Sequence, residues 1–356
     1  MKIVSIVGAR PQFIKAAPVS AALRKQHEEL LLHTGQHYDE NMSQVLFDEL
    51  GIPRPDINLE IGSDSHARQT AAIMIGVENF LEHEKPDLVL VYGDTNSTLA
   101  GAVAAAKLHI KIAHVEAGLR SFNRAMPEEI NRIVADKVAD ILFCPTETAV
   151  KNLAAEGISS GVFNIGDVMY DAALKFAPIA EQKSRILDKL SVASKSYLLL
   201  TLHRAENTDS YQNLSHIVEA VVQSQKRIIF PVHPRTVKLL KQFQLYEKLN
   251  QAANIILIEP VSFIDMIVLE KNALKILTDS GGVQKEAYFY QVPCLTLRNE
   301  TEWVETVDDG WNCLVGADVE KISSAIDNFS PAKQQQGHYG NGKASEKLVE
   351  VLNNFF

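Results

Sequence analysis

A regular alternation of short apolar runs with longer amphipathic stretches constrains the fold of this chain more than any other feature. The short runs are rich in Val, Ile and Leu, which is typical of strands buried in a parallel sheet. The longer stretches contain few internal glycines and have a helical period. The predicted strands are 2–7, 29–34, 87–92, 111–115 and 141–143 in a first series, and 197–202, 227–232, 254–258, 274–278 and 293–297 in a second.

The intervening stretches complete two successive β-α series. The predicted helices are 17–26, 97–108, 171–190, 214–225, 237–249 and 344–354, with a polar loop at 331–342. We therefore expect an α/β protein with two Rossmann-like, doubly wound parallel-sheet domains and a cleft between them. The predicted domains are 1–168, joined by a C-terminal helix 343–356, and 169–342. Ligands of such sheets bind beyond the carboxyl ends of the strands, so the residues that follow each strand are the candidates for function.

Charge and composition narrow the classes of partner. The 35 Lys and Arg against 44 Asp and Glu give a net charge of -9, and no basic run is present, so we expect neither nucleic acid nor an anionic membrane as a partner. No apolar run approaches the ~18 residues of a membrane span. Cys144, Cys294 and Cys313 lie far apart without a C-x-x-C pair, which favours buried free thiols in a reducing, cytoplasmic setting and gives no metal site.

The turn after the first predicted strand carries two cations. Arg10 and Lys15 follow Gly8 where a helix is expected to begin, and backbone N–H groups at such a position favour an anion. The string matches neither G-x-G-x-x-G nor a Walker loop, so no nicotinamide or other cofactor is predicted. The two side chains are read either as phosphate contacts or as solvated cations on a helix start.

Three acidic residues follow neighbouring strands of the first series. Asp94 comes after the third strand, Glu116 after the fourth, and Glu128 in the first turn of the next predicted helix. Each has a structural explanation, since Asp is a common helix N-cap and a glutamate in a first turn suits the helix dipole. Carboxylates gathered at one sheet edge push their pKa values apart, which acid and base catalysis requires.

Residues of types that bind phosphate follow the strands of the second series. His203 and His233 follow its first two strands, and each is read either as a ligand of a diphosphate, or a proton carrier, or as a hydrogen-bonded structural histidine. Ser280, Gly281 and Gly282 lie between a strand and a helix and offer a hydroxyl and bare N–H groups, with Glu286 one turn further on. The alternative for this string is a tight turn that merely needs glycine.

In order, and along nearly the whole chain, these strings resemble the non-hydrolysing UDP-N-acetylglucosamine 2-epimerase family. A single string would be weak, whereas the ordered set is highly specific. The strings are G-A-R-P-Q-F-I-K at 8–15, T-G-Q-H at 34–37, Y-G-D-T-N-S-T at 92–98, H-V-E-A-G-L-R at 114–120, P-E-E-I-N-R at 127–132, H-R-A-E-N at 203–207 and D-S-G-G-V-Q-K-E-A at 279–287.

The resemblance implies a glycosyltransferase type B architecture, a homodimer, and a reaction without nicotinamide that eliminates UDP to a glycal and adds it back with inverted C2. It places the family's catalytic residues on Asp94, Glu116, Glu128 and His203. Its UDP-contacting positions fall on Arg10, Lys15, His233, Ser280, Gly281, Gly282 and Glu286. The alternatives are a hydrolysing 2-epimerase, a type B glycosyltransferase using a UDP-sugar donor, and a non-catalytic nucleotide-sugar binding protein.

Departures from the commoner family strings concern the sugar. Residues 36–39, and Trp303 with Val304, resemble the branch that acts on UDP-2,3-diacetamido-2,3-dideoxy-glucuronic acid, with plain UDP-N-acetylglucosamine as the other candidate. Some members of the family have a second, regulatory UDP-sugar site that involves residues 36–44. The altered string there does not decide whether this chain has that site. A glucuronate carboxylate needs a cation, for which Arg120, Arg124 and Arg298 are candidates and Arg124, just before Glu128, is preferred.

Overall fold

The structure, a computed structural model, describes residues 1–36 and 54–356, so the predictions that involve 37–44 lie outside the described residues. The described strands form two sheets in which every pairing is parallel. The strands are β1 (Lys2–Val7), β2 (Glu28–His33), β3 (Ile57–Asn58), β4 (Leu88–Tyr92), β5 (Lys111–Val115), β6 (Ile141–Cys144), β7 (Val162–Asn164), β8 (Leu198–Thr201), β9 (Ile228–Pro231), β10 (Ile255–Ile258), β11 (Lys275–Thr278), β12 (Cys294–Thr296) and β13 (Asn312–Leu314).

Helices connect these strands, as parallel pairing requires. The described helices are α1 (Arg10–Leu23), α2 (His66–Glu84), α3 (Asn96–Lys107), α4 (Pro127–Val138), α5 (Glu147–Ala155), α6 (Val168–Lys183), α7 (Ile186–Leu190), α8 (Ala205–Thr208), α9 (Tyr211–Gln223), α10 (Pro234–Gln242), α11 (Tyr246–Asn250), α12 (Phe263–Asn272), α13 (Gly281–Phe289), α14 (Val304–Asp308), α15 (Val319–Asn328) and α16 (Ala344–Phe355). None of these helices has the length and apolar character needed to cross a membrane.

The chain divides into two compact units, Met1–Lys175 with Gly337–Phe356, and Phe176–Gln336. The first holds the sheet ordered β3-β2-β1-β4-β5-β6-β7 and the second the sheet ordered β10-β9-β8-β11-β12-β13. The prediction of two doubly wound parallel-sheet α/β units is confirmed. The predicted domain limits stay a prediction, since a compact unit is not by itself a domain that folds alone.

The strand order reverses once in each sheet, and this fixes where chemistry is expected. β1 pairs with β2 on one side and with β4 on the other, and β8 lies in the same way between β9 and β11. The loops that follow these strands diverge, which opens a crevice at the carboxyl edge. Continuous apolar burial holds the strands in register, as in β4, where all five residues are buried and each contributes roughly 1.5–3 kcal/mol.

Several predicted boundaries are wrong for identifiable reasons. The first helix covers Arg10–Leu23 rather than 17–26; it begins in the turn after Gly8, where the two cations indicate a helix start, and has proline in its first turn. The predicted helix 237–249 is split into α10 and α11, with Gln244 in the left-handed region at φ 58. Strands β3, β7 and β13 have two or three residues each, too few to show a periodic pattern.

The three cysteines are free thiols. Cys144 and Cys294 are buried as predicted, whereas Cys313 is only partly buried. Burial raises the pKa of the Cys294 thiol to about 12, so this side chain stays a neutral core residue.

Candidate active site

The buried side chain of Gln12 ties the end of β1 to the end of β4. Its carbonyl oxygen accepts hydrogen bonds from the N–H groups of Gly8 and Ala9 at 2.8 and 3.0 Å. Its amide donates to the carbonyl oxygen of Tyr92 at 2.7 Å. Gln12 is not among the residues that the motifs predict, since an amide between two cations is typical of a surface. Because it joins the two strands at which the order reverses, it shapes this crevice.

Close packing requires glycine in the same turn. A Cβ on Gly8 would lie 2.1 Å from the hydroxyl oxygen of Ser97 and 2.2 Å from that of Thr34. These two hydroxyl groups are hydrogen-bonded to each other at 2.8 Å. Gly8 therefore lets the β1 turn approach the start of α3 closely.

Lys15 and Glu116, both predicted site residues, form an ion pair beside Gly93. Their side chains are only 11% and 7% exposed, so their charges interact more strongly than they would at the surface. Gly93 has φ 62, and a Cβ there would lie 3.1 Å from Lys15 Nζ and 3.3 Å from Glu116 Oε2. Lys15 is therefore not a solvated cation, which was one of its two sequence interpretations.

The backbone of Glu116 is strained. Its φ of 72 lies in the left-handed region, which a residue with a long side chain adopts at a cost of about 1–3 kcal/mol. The N–H groups of Glu116 and Ala117 both donate to the carbonyl oxygen of Phe143, at 3.0 and 3.1 Å. These bonds hold the conformation that places the carboxylate on Lys15.

Asp94 is anchored by a different cation. It forms an ion pair with Arg132, whose side chain is 5% exposed. Arg132 Nη1 also donates to Glu129 Oε2 at 3.1 Å. The Glu129 carboxylate accepts the N–H groups of Ser121 and Phe122 at 2.9 and 3.0 Å. The position of Asp94 is thus linked through α4 to the loop that precedes this helix.

The two glutamates at the start of α4 differ in environment. Glu129 is 1% exposed and belongs to the network around Asp94, whereas Glu128 is half-buried in the same first turn. The helix dipole favours both positions. The motif assigns catalysis to Glu128, and that role stays a prediction. The structural importance of Glu129 is not visible in sequence, because neighbouring glutamates are equivalent until the face of the helix is known.

In the second unit, Asp279 joins the two strand ends at which the order reverses. It is fully buried and accepts hydrogen bonds from the N–H groups of His203 and Arg204, at 3.1 and 3.0 Å. The amide of Asn207 donates to the same carboxylate at 3.3 Å. The motif string contains Asp279 but assigns it no role, and the structure shows that it holds the loop after β8.

His203 stands partly exposed above this anchor. Its side chain is 46% exposed, and Nδ1 lies 3.4 Å from Asp279 Oδ1. Desolvation lowers the pKa of His203, the positive groups of Arg204, His233 and Arg235 lower it further, and Asp279 opposes them. A neutral imidazole in this place can take up a proton when an anion arrives.

Two helix starts in the second unit carry predicted contacts. His233 is exposed and caps α10, with Nδ1 accepting the N–H of Arg235 at 3.2 Å. Ser280 caps α13. The two residues that follow it, Gly281 and Gly282, begin this helix without positive φ. A strained turn therefore does not explain these glycines.

Two further predicted contacts are partly buried on helices. Arg10 is half-buried at the start of α1, and Glu286 is half-buried within α13. Across residues 1–36 and 54–356, no group of three or more His, Cys, Asp or Glu side chains is arranged to hold a metal ion.

Comparison with known proteins identifies the family. The family model described as UDP-N-acetylglucosamine 2-epimerase matches residues 21–353. A UDP-N-acetylglucosamine 2-epimerase homolog of Methanococcus maripaludis is 60% identical, over 99% of this chain and 100% of the relative. The UDP-2,3-diacetamido-2,3-dideoxy-D-glucuronate 2-epimerase of Pseudomonas aeruginosa is 48% identical, over 99% of both chains.

A solved structure supports the same assignment. The crystal structure of UDP-GlcNAc 2-epimerase from Methanocaldococcus jannaschii, in complex with UDP-GlcNAc and UDP, matches with a TM-score of 0.93 and 47% identity, covering 99% of this chain and 100% of that chain. The resemblance seen in the motifs is thereby confirmed. The chain belongs to the UDP-N-acetylglucosamine 2-epimerase family, and is by that membership an isomerase.

Proposed function

We propose that this protein inverts C2 of a UDP-sugar by eliminating UDP across C1 and C2 to a glycal and adding it back to the opposite face. The observation that carries the proposal is the Lys15–Glu116 ion pair beside Gly93. Glu116 is held in a strained backbone conformation, and Asp94 follows Gly93 directly in the chain. Removing the C2 proton needs a positioned carboxylate, and the departing diphosphate needs cations and N–H donors.

The two units supply different parts of this chemistry. In the first unit, Asp94, Glu116 and Glu128 transfer protons, while Lys15 with Arg10 offers positive charge. In the second unit, His203 serves the same reaction. The UDP contacts there are His233, Ser280, Gly281, Gly282 and Glu286. The N–H groups at the start of α13, together with its dipole, suit the diphosphate, and Glu286 suits ribose hydroxyls.

Product analysis distinguishes this function from its alternatives. The protein is incubated with a UDP-sugar and without an acceptor, and the mixture is followed by chromatography and mass spectrometry. We expect the C2 epimer, with traces of glycal and UDP. A hydrolysing enzyme would release the free sugar with UDP instead. A glycosyltransferase or a binding protein would leave the UDP-sugar unchanged.

The diacetamido-glucuronate is the preferred sugar. Of the three candidate arginines, Arg120 is committed to Asp136 and Glu156, and Arg298 is buried against Glu302. Arg124 is exposed in the loop that leads to α4. These environments favour Arg124 as the partner of the sugar carboxylate.

The second sugar determinant in sequence, Trp303, is 5% exposed. The ammonium group of Lys285 lies 3.9 Å from its ring centroid. This contact occupies one ring face and favours a packing role over stacking on the sugar. We expect Arg124→Ala to lower kcat/KM on the diacetamido-glucuronate about tenfold, the effect of one lost charge-assisted contact, and to leave UDP-N-acetylglucosamine unaffected. Equal losses on both sugars would refute this assignment.

The remaining expectations concern the setting of the enzyme. The resemblance implies a homodimer that makes polysaccharide precursors in the cytoplasm. An apolar groove of about 590 Å³ between α2, α3 and α4 supports self-association, with Ile75 61% exposed beside it. Light scattering should give a mass of twice the 39.4 kDa of one chain. The Ile75→Lys variant should give the mass of a single chain. A monomer at micromolar concentration would exclude the dimer.

A further inference from the structure

His114 is a fully buried histidine of β5 in which both ring nitrogens are hydrogen-bonded. Nδ1 lies 2.7 Å from Asp136 Oδ1, and Nε2 lies 2.7 Å from the carbonyl oxygen of Gly93. A carbonyl oxygen can only accept, so Nε2 must carry a proton. The protonation of Nδ1 then depends on the state of Asp136.

Asp136 is held from both of its carboxyl oxygens. Its Oδ2 accepts hydrogen bonds from the N–H of Gly118 at 3.1 Å and from Nη1 of Arg120 at 2.7 Å. Its Oδ1 faces Nδ1 of His114, and one proton lies between these two atoms. The ring is thus fixed at both ends, with Nε2 directed at the Gly93 carbonyl.

The charges around this pair balance. Arg120 also forms a bidentate pair with Glu156, at 2.7 and 2.8 Å. Arg120 and Glu156 carry opposite charges, and the His114–Asp136 pair with its shared proton has no net charge. Buried charge is tolerated when it is paired and hydrogen-bonded in this way.

We propose that His114 is a positioning residue for the epimerisation, a buried histidine whose bond to the Gly93 carbonyl fixes the peptide between Gly93 and Asp94. The proposal rests on the proposed function. This peptide carries Asp94 on one side, and on the other Gly93, which makes room for the Lys15–Glu116 pair. Loss of the bond would let both carboxylates drift, and a displacement of ~1 Å can cost about 100-fold in rate.

The bond to Gly93 has a second consequence. A hydrogen bond inside a protein polarises the group that it joins. In a trans peptide the C=O and N–H bonds point in opposite directions. The bond to the Gly93 oxygen therefore directs the N–H of Asp94 away from His114 and makes it a better donor to an anion.

Nitrogen NMR on the wild-type protein, labelled with ¹⁵N-histidine, tests the bond to Gly93 without any use of activity. We expect Nε2 of His114 to show a protonated shift, because the Gly93 carbonyl can only accept. His114→Asn identifies the signal by removing it. An unprotonated Nε2 in the wild-type protein would overturn the proposal.

A pair of substitutions separates the two hydrogen bonds. His114→Gln keeps a donor near the Nε2 position and so can still bind Gly93, whereas His114→Asn keeps one near Nδ1 and cannot. We expect His114→Asn to lower kcat by about 100-fold at nearly unchanged KM, with His114→Gln retaining at least tenfold more activity. His109→Gln, in the exposed turn that precedes the same strand, is the control.

These experiments distinguish a failure of the positioning role from a failure of the proposed function. A wild-type protein without epimerase activity would refute the function, and the Nε2 shift would then test the hydrogen bond to Gly93 by itself. Normal kcat in folded His114→Asn, or equal loss in both variants, would refute positioning in an active enzyme. Thermal unfolding of each variant establishes that it is folded.

Discussion

The two sheet edges share one topology and differ in how their polar groups are held. At the edge of the first unit, Asp94 and Glu116 are each paired with a cation that is itself nearly buried. At the edge of the second, His203 is half-exposed, and Gly281 and Gly282 begin a helix without side chains of their own. The first arrangement fixes charges before a ligand arrives, as proton transfer requires. The second presents donors that an anion can engage.

Neutralising the fixed carboxylates should give the largest effect. Asp94→Asn and Glu116→Gln keep the side-chain shape but remove the base, so we expect turnover to fall by about 100-fold or more while UDP still binds. Steady-state kinetics and calorimetric titration with UDP measure the two quantities. Glu147→Gln, in the first turn of α5, is the matched control. Near-normal turnover in both site variants would reduce these carboxylates to structural partners of Lys15 and Arg132.

The two glutamates that begin α4 sharpen the comparison inside the first unit. Glu128→Gln should lower turnover by about 100-fold with little change in stability. Glu129→Gln removes the charge that accepts two backbone N–H groups and pairs with Arg132, so it should destabilise the fold by about 1–3 kcal/mol. Thermal unfolding and kinetics on both proteins check the pair. The reverse assignment of effects would move the catalytic role to Glu129.

Sequence predicted the strands well because a buried parallel strand must be continuously apolar. It also predicted which loops carry polar groups, since the strand ends are visible as the ends of apolar runs. It could not predict that Lys15 reaches Glu116, or that Arg132 reaches Asp94. Such pairs lie far apart in the chain and depend on the register of β1, β4 and β5, which no local pattern encodes.

The anchors beneath the site are also invisible in sequence. Gln12, Asp136 and Asp279 have residue types that are usually exposed, and each is buried because several polar groups converge on it. Strain is equally hidden, since nothing in the sequence requires Glu116 to adopt φ 72. The sequence therefore predicts the apolar framework but not which buried polar groups form hydrogen bonds with one another in the folded chain.

Replacing a glycine by alanine should have different effects at the two sheet edges. In the described part of the chain, a Cβ on Gly282 would meet only the Ser280 hydroxyl, at 3.8 Å. Gly282→Ala should therefore leave stability unchanged or raise it by up to ~1 kcal/mol. We expect it to weaken UDP about tenfold by blocking close approach to the backbone. Gly8→Ala should instead destabilise the protein, since its Cβ would clash at 2.1 Å. Unchanged UDP affinity in folded Gly282→Ala would exclude backbone contact there.

The smallest expected effect is a linkage between protons and substrate at His203. The pKa of the free group is lowered, and a bound diphosphate should raise it, so binding takes up a fraction of a proton. Affinity for a UDP-sugar, whose diphosphate does not titrate near pH 6.5, should therefore weaken as pH rises through that region. Calorimetry in buffers of different ionisation enthalpy counts the protons. Uptake that persists unchanged in His203→Asn would place the proton elsewhere.

Exchange at C2 tests the central claim most directly. The protein is incubated with the UDP-sugar in deuterated water, without nicotinamide, and proton NMR follows the C2 hydrogen. Elimination and re-addition require this hydrogen to leave as a proton, so we predict deuterium at C2 in both epimers and exchange at least about 100-fold slower in Glu116→Gln. Full interconversion of the epimers with the original C2 hydrogen retained, or a strict requirement for added nicotinamide, would contradict the account.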